Sequence, residues 1–188
     1  RVAWQDWYTT VDREFHALQK QCKTVFVAGL SMGGTLALRI AEKHPDDVAG
    51  LVLVNPATQL PWNAHFAPLL RHFIPALKAA VGSDIAKPGV EEHTYDVTPL
   101  NATNELLKLC TNVNAALDLV ICPVLLYRSA VDHVLPPSSV QTVLRQISSE
   151  DISERVLARS WHVATMDYEK EELFAGSIDF FGKHAGSS

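Results

Sequence analysis

Ser31 stands in Gly29-Leu30-Ser31-Met32-Gly33, a G-x-S-x-G pattern, and Asp132 and His162 follow it in the chain order that serine-based acyl transfer uses on a parallel sheet. A serine hydroxyl is a weak nucleophile until a base takes its proton, and the base needs an acid to hold its tautomer. The pattern puts the serine on a tight strand-to-helix turn. Its neighbours must be nearly free of side chain, so Gly29 and Gly33 are expected to let strand and helix approach closely. The amide N–H of Met32 opens the helix and is expected to face a developing oxyanion, aided by the helix dipole.

The remaining titratable groups compete poorly for these roles. Of the eight histidines, His16, His44, His65, His72, His93 and His184 fall on helical or broken segments or the tail, where solvent or a neighbour satisfies them. His133 directly follows Asp132 and reads as a loop residue beside the site. Asp118 precedes its strand, at the wrong end, and Asp167 reads as support for the loop that carries His162. No H-E-x-x-H spacing occurs, so a catalytic metal finds no support, and no cofactor motif is present.

These residues need a sheet edge to hold them. Thr24 to Ala28, Gly50 to Val54 and Pro123 to Tyr127 read as buried strands, and Glu154 to Ala158 reads as a fourth strand. Helical periodicity covers residues 4 to 20, where Trp4, Trp7, Tyr8, Val11, Phe15 and Leu18 form one stripe, and also Thr35 to Lys43. Val140 to Ile147 reads as a helix capped by Ser138 or Ser139. Glu169 to Phe181 reads as a last helix burying Leu173, Phe174, Ile178 and Phe181. Alternating strands and helices predict an α/β fold, a mostly parallel sheet with helices on both faces. Asp132 and His162 then follow C-terminal strand ends, where such sheets carry their sites.

Between residues 56 and 118 the pattern breaks. Pro56, Pro61, Pro68, Pro75, Pro88 and Pro99 interrupt short helices whose apolar stripe includes Trp62, Phe66, Leu69, Leu70, Phe73, Ile74 and Leu77. That stretch reads either as a small lid over an acyl pocket or as ordinary core. The lid reading divides the chain into a core of residues 1–55 and 119–188 and an insertion of 56–118. Leu30, Trp62, Phe66, Phe73, Val134 and Val163 would line its pocket.

Bulk composition bounds the partners. The 188 residues are 47% hydrophobic and 20% charged, with a net charge of −5. No basic field favours nucleic acid, and no apolar run approaches a membrane span. Cys22, Cys110 and Cys122 have no C-x-x-C spacing and read as free thiols in a reducing, cytoplasmic compartment. The expected partner is a small uncharged or weakly polar molecule.

Three stretches carry a family resemblance: Gly29-Leu30-Ser31-Met32-Gly33-Gly34, Ser129-Ala130-Val131-Asp132-His133, and Ser160-Trp161-His162-Val163-Ala164-Thr165-Met166-Asp167. Together they resemble the bacterial monoacylglycerol lipase and small carboxylesterase family of the α/β-hydrolase fold. The resemblance spans nearly the whole chain. It implies a Ser31–His162–Asp132 triad, a small lid, and short- to medium-chain acyl esters or monoacylglycerols as substrates. It also implies an eight-stranded sheet whose first strands, with an N-terminal His-Gly loop donating the second oxyanion N–H, precede the elbow. Those strands are absent from this chain, so the chain reads as a fragment or as one piece of an enzyme with a separate N-terminal polypeptide. A thioesterase or amidase of the same fold, or a non-catalytic chain needing a partner segment, are the alternatives.

Overall fold

Successive side chains of a β-strand point to opposite faces, so a wholly apolar strand demands cover on both. The computed structural model of the chain, which describes residues 2–78, 83–93 and 95–186, meets that demand. Helix α1 (Trp4–Gln19) leads into β1 (Val25–Leu30), α2 (Met32–Lys43) and β2 (Val48–Val54). A short helix α3 (Ala67–Leu70), strands β3 (Ala76–Lys78) and β4 (Val97–Pro99) and helix α4 (Leu100–Asn114) follow. The chain returns through β5 (Val124–Ser129), α5 (Ser138–Gln146), β6 (Ile152–Leu157) and α6 (Lys170–His184).

The main sheet has the order β1-β2-β5-β6 and every pair is parallel. The four expected strands are its four strands. The α/β class with helices on both faces is thus the observed architecture. Leu51, Leu53, Val124 and Leu126 point to one face, into a core shared with α1, α2, α4 and α5. Val52, Val54, Leu125 and Tyr127 point to the other, against Leu173 and Phe180 of α6. Parallel pairing in register brings all four C-terminal strand ends to one edge.

Several local expectations change. No side chain caps α5: Ser139 is buried, and its hydroxyl donates to the Pro56 carbonyl at 2.6 Å while accepting from the Thr58 and Gln59 amides. Leu18 is exposed, because the last turn of α1 runs past the core. On α6 the buried stripe is Leu173, Gly176, Ser177, Phe180 and His184, the i, i+3, i+4, i+7 pattern. Phe174 and Ile178 lie off that stripe and are exposed, and Phe181 is half-buried. Residues 56–118 also contribute to the main core. They carry an antiparallel β3–β4 pair, and α4 buries Leu109 and Val113 in the main core.

One buried ion pair sits on α2, the helix behind the elbow. Arg39 Nη1 donates to Glu42 Oε2 at 2.8 Å, while Arg39 Nε and Glu42 Oε1 have no partner among the described residues. Burial pushes the Glu42 carboxyl from 4.5 to about 7, against the pull of Arg39. A raised folded-state pKa favours folding below the unfolded value, and that gain disappears as pH rises through about 7. Replacing both partners with apolar groups removes the dependence and is often neutral or stabilising. The double variant Arg39→Met/Glu42→Leu should therefore gain stability relative to the parent from pH 5 to pH 8, read by urea unfolding at each pH. A difference that stays constant across that range contradicts the assignment.

Candidate active site

Ser31 occupies the junction of β1 and α2 with φ 54° and ψ −120°, a left-handed backbone that a residue with a Cβ rarely adopts. Four backbone hydrogen bonds hold it there. Its N–H donates to Val54 O at 3.0 Å, and its carbonyl accepts from Gly34, Thr35 and Ala57 at 3.0, 3.2 and 3.1 Å. The amide of Met32, the first residue of α2, is one of the helix's first four N–H groups, which lack intrahelical acceptors.

The two elbow glycines are not equivalent. A Cβ on Gly29 would sit on the Gly33 carbonyl, nearer than real Cβ atoms come. A Cβ on Gly33 would meet nothing within 4 Å, so close approach does not require glycine there, contrary to expectation. The second tight position is Gly34, whose Cβ would lie 3.0 Å from Pro56 Cβ.

Asp132 and His162 come together from the loops after β5 and β6. His162 Nδ1 lies 2.8 Å from Asp132 Oδ2, and His162 is buried. Asp132 Oδ1 accepts from the Val134 and Leu135 amides, both at 2.8 Å. Burial works to raise the Asp132 carboxyl, but the hydrogen bond from His162 and these amides hold it below its ordinary range. With Nδ1 engaged by Asp132, Nε2 is the ring nitrogen left for a further partner. The loop carrying His162 folds around Asp167, which is fully buried and accepts amides of Ala86, Lys87, Trp161 and Tyr168 at 2.7–3.0 Å. Asp118 lies before β5, at the opposite end from Asp132.

Two residues outside the sequence reading organise this edge. Asn55, buried just after β2 with φ 42°, donates from Nδ2 to Ser129 Oγ and to the His162 carbonyl, each at 2.9 Å. Its only sequence signal is an asparagine, tolerant of left-handed backbone, at the end of a buried strand. Asp84, also buried, accepts from the His133 and His162 amides at 3.2 Å and meets His133 Nδ1 at 2.7 Å. It ties the insertion to both the acid and the base loop, and no motif marks it.

The six expected pocket residues do not converge. Trp62 and Val134 share an open groove of about 740 Å³ with Leu60, His65 and Leu135. Phe66 packs edge-on against Trp62 at 5.8 Å. Phe73 projects into solvent at 79% exposure and does not line the groove. Nor do Leu30, which packs on the α6 side of the sheet, and Val163, which is buried. A smaller cavity of about 290 Å³ lies beside Asp132, lined by Asn55, Ser129, Leu135 and Val140.

The elbow geometry sets a test. Gly29→Ala should cost about 1–3 kcal/mol or more through overpacking. Gly33→Ala should leave the fold intact and gain roughly 0.5–1 kcal/mol of helix stability. Thermal unfolding of both variants reads the contrast, and equal losses would contradict it.

Comparison with known proteins agrees with this geometry. The family model described as Serine aminopeptidase, S33 (Hydrolase_4) matches residues 3–169. The chain is 38% identical over 187 residues to a thermostable monoacylglycerol lipase of Bacillus sp. (strain H-257), covering 99% of this chain and 74% of that protein. It is 20% identical over 180 residues to a carboxylesterase of Bacillus subtilis (strain 168), covering 95% of this chain and 72% of that protein. Among solved structures it superimposes on a metagenome-derived lipolytic enzyme with TM-score 0.92 and 32% identity, covering 97% of this chain and 75% of that one. The monoacylglycerol lipase of Paleococcus ferrophilus, at 18% identity and TM-score 0.81 over 97% of this chain and 76% of its own, shares the fold. With its parallel sheet and strand-end site, the chain belongs to the Hydrolase_4 (Serine aminopeptidase, S33) family, as an acyl-ester hydrolase of the α/β-hydrolase fold.

Proposed function

We propose that Ser31, His162 and Asp132 cleave short- to medium-chain acyl esters or monoacylglycerols through an acyl-enzyme. The supporting observation is the 2.8 Å His162–Asp132 pair on the same sheet edge as a serine held at positive φ. Ser31 Oγ attacks the ester carbonyl while His162 Nε2 takes its proton. The negative oxygen of the tetrahedral intermediate is met by the Met32 N–H. His162 then protonates the departing alcohol, and water repeats the sequence on the acyl-enzyme. Asp132 holds the imidazole tautomer and stabilises the imidazolium without being protonated itself. The groove walled by Trp62 and Val134 takes the acyl chain in this reading. Three free cysteines fit a reducing, cytoplasmic setting.

In catalytically competent protein, Ser31→Ala should abolish turnover of p-nitrophenyl esters with an unchanged melting curve. Asp132→Asn should cost about 10⁴-fold in kcat, the size seen for that change in a chymotrypsin-type protease. Asp167→Asn should act mainly on stability, since its carboxylate binds backbone amides rather than the imidazole. Thioester and amide analogues in the same panel separate esterase from thioesterase or amidase. Substantial activity in Ser31→Ala would sink the assignment.

A second oxyanion N–H belongs to this reading, and we assign it to a segment that pairs with β1. Among the described residues β1 has one partner, β2, so its other edge offers unpaired backbone groups. Residues 1–188 expressed alone should then be prone to aggregation and inactive. Adding the segment, in cis or in trans, should restore both properties. A monomeric, cooperatively melting and ester-cleaving 188-residue protein would refute this part.

A further inference from the structure

We propose that Asp12, His16 and His44 bind one zinc ion that joins α1 to α2, at a site separate from the catalytic edge. Asp12 and His16 are four residues apart on α1 and so share one helix face. His44 ends α2 and reaches across to them. One carboxylate oxygen and one imidazole nitrogen from each residue all lie within 4.8 Å of one another. His44 Nε2 is 2.7 Å from Asp12 Oδ1, and His16 Nε2 is 3.7 Å from Asp12 Oδ2. Tetrahedral zinc, with bonds of about 2.0–2.2 Å, sets its ligand atoms roughly 3.3 Å apart. These two contacts use different oxygens of Asp12, so the carboxylate turns to present one oxygen to the ion while His44 moves out and His16 moves in.

The surroundings favour a metal over a plain hydrogen-bond cluster. His16 Nδ1 lies 2.7 Å from Gln19 Oε1. An amide oxygen only accepts, so the His16 tautomer that donates to Gln19 from Nδ1 is the one that turns the Nε2 lone pair toward the Asp12 carboxylate. In that tautomer a cation placed between Nε2 and the carboxylate oxygen 3.7 Å away takes an electron pair from each. Metal-ligating histidines characteristically donate their other N–H in this way. Tyr8 Oη donates to Asp12 Oδ1 at 2.8 Å and so steadies the carboxylate from behind. Phe15 forms an apolar wall, with its ring 5.2 Å from that of His44 and 5.8 Å from that of His16. The His16 side chain is 47% exposed, which leaves the outer face open for a water as fourth ligand. Two imidazoles and one carboxylate are ligands that suit zinc.

Ser31 and His44 bracket the 12 residues of α2, a helix about 18 Å long, so the ion does not touch the reacting atoms. Its effect is to clamp two helices of the main core, and a ligand that binds only the folded state raises the melting temperature. The test uses catalytically competent protein that includes the segment proposed to pair with β1, stripped with EDTA and titrated with Zn²⁺, followed by calorimetry and thermal unfolding, with Co²⁺ as a spectroscopic substitute. The expected result is one ion per chain, a higher Tm, unchanged ester turnover, and a visible Co²⁺ band of a four-coordinate site. His16→Ala, which alters an exposed side chain, should abolish the Tm shift and the band. Gln19→Ala should weaken zinc by about tenfold through loss of the imidazole's support. Absence of binding at millimolar zinc, or a His16→Ala variant that binds like the parent, overturns the proposal.

Discussion

The carboxamide of Asn55 is buried at the C-terminal edge of the sheet and uses both of its ends. Nδ2 donates to Ser129 Oγ and to the His162 carbonyl, and Oδ1 accepts from the Ser129 amide at 2.8 Å. Ser129 in turn donates from Oγ to the Trp161 carbonyl at 2.7 Å. One side chain after β2 thereby fixes the exit of β5, which leads to Asp132, relative to the loop that carries His162. The backbone hydrogen bond from Ser31 to Val54 brings the elbow into the same frame. Parallel strands supply only the common edge. The Asn55 connections fix the β5 exit and the His162 loop relative to one another.

The loops beyond that edge have little regular structure, so their amides need other acceptors. Buried carboxylates fill that need. Glu169 accepts from Ala158, Arg159 and Ser160, while Asp167, Asp84 and Asp132 take the amides already described. Burial alone would raise the Glu169 carboxyl, yet its amide and hydroxyl partners hold it low. Glu169 and Asp132, both held low, stabilise the fold above the ordinary carboxylate range and lose that contribution as pH falls through it. Loop geometry and acid sensitivity therefore have a common source. Glu42, with its raised pKa, responds in the opposite direction.

Much of this was legible from residue order. G-x-S-x-G between an apolar strand and an apolar-periodic helix marks the β1–α2 junction where Ser31 sits at positive φ, and the position of Asp132 and His162 just after the third and fourth strands is what brings their side chains to 2.8 Å. β1, β2 and β5 were visible because each is short, apolar and bounded by turn residues, while β6, at the sheet edge with polar and mostly exposed side chains, was visible only through the Val156-Leu157 pair. Asn55 and Asp84 were hidden because their meaning lies in partners 49 to 107 positions away. Proline spacing obscured α4, whose buried Leu100, Asn104, Leu109 and Val113 keep a helical period through the end of the insertion. Ser139 looked like a helix cap, yet burial against Pro56 and Thr58 gave its hydroxyl better partners. Phe73 lies in the turn after α3 and is exposed, because the short helix ends at Leu70 before the stripe reaches it.

The distribution of the three thiols bears on how the protein can be handled. Cys110 and Cys122 are buried, and burial pushes their thiols up to about 12 and about 11, so neither forms the reactive thiolate readily. Cys22 is exposed and precedes β1, at the end of the sheet opposite Ser31. Six strand residues separate the two ends by about 20 Å. A maleimide dye or a thiol-reactive bead would therefore attach at one defined point, with the candidate catalytic edge directed away from the support.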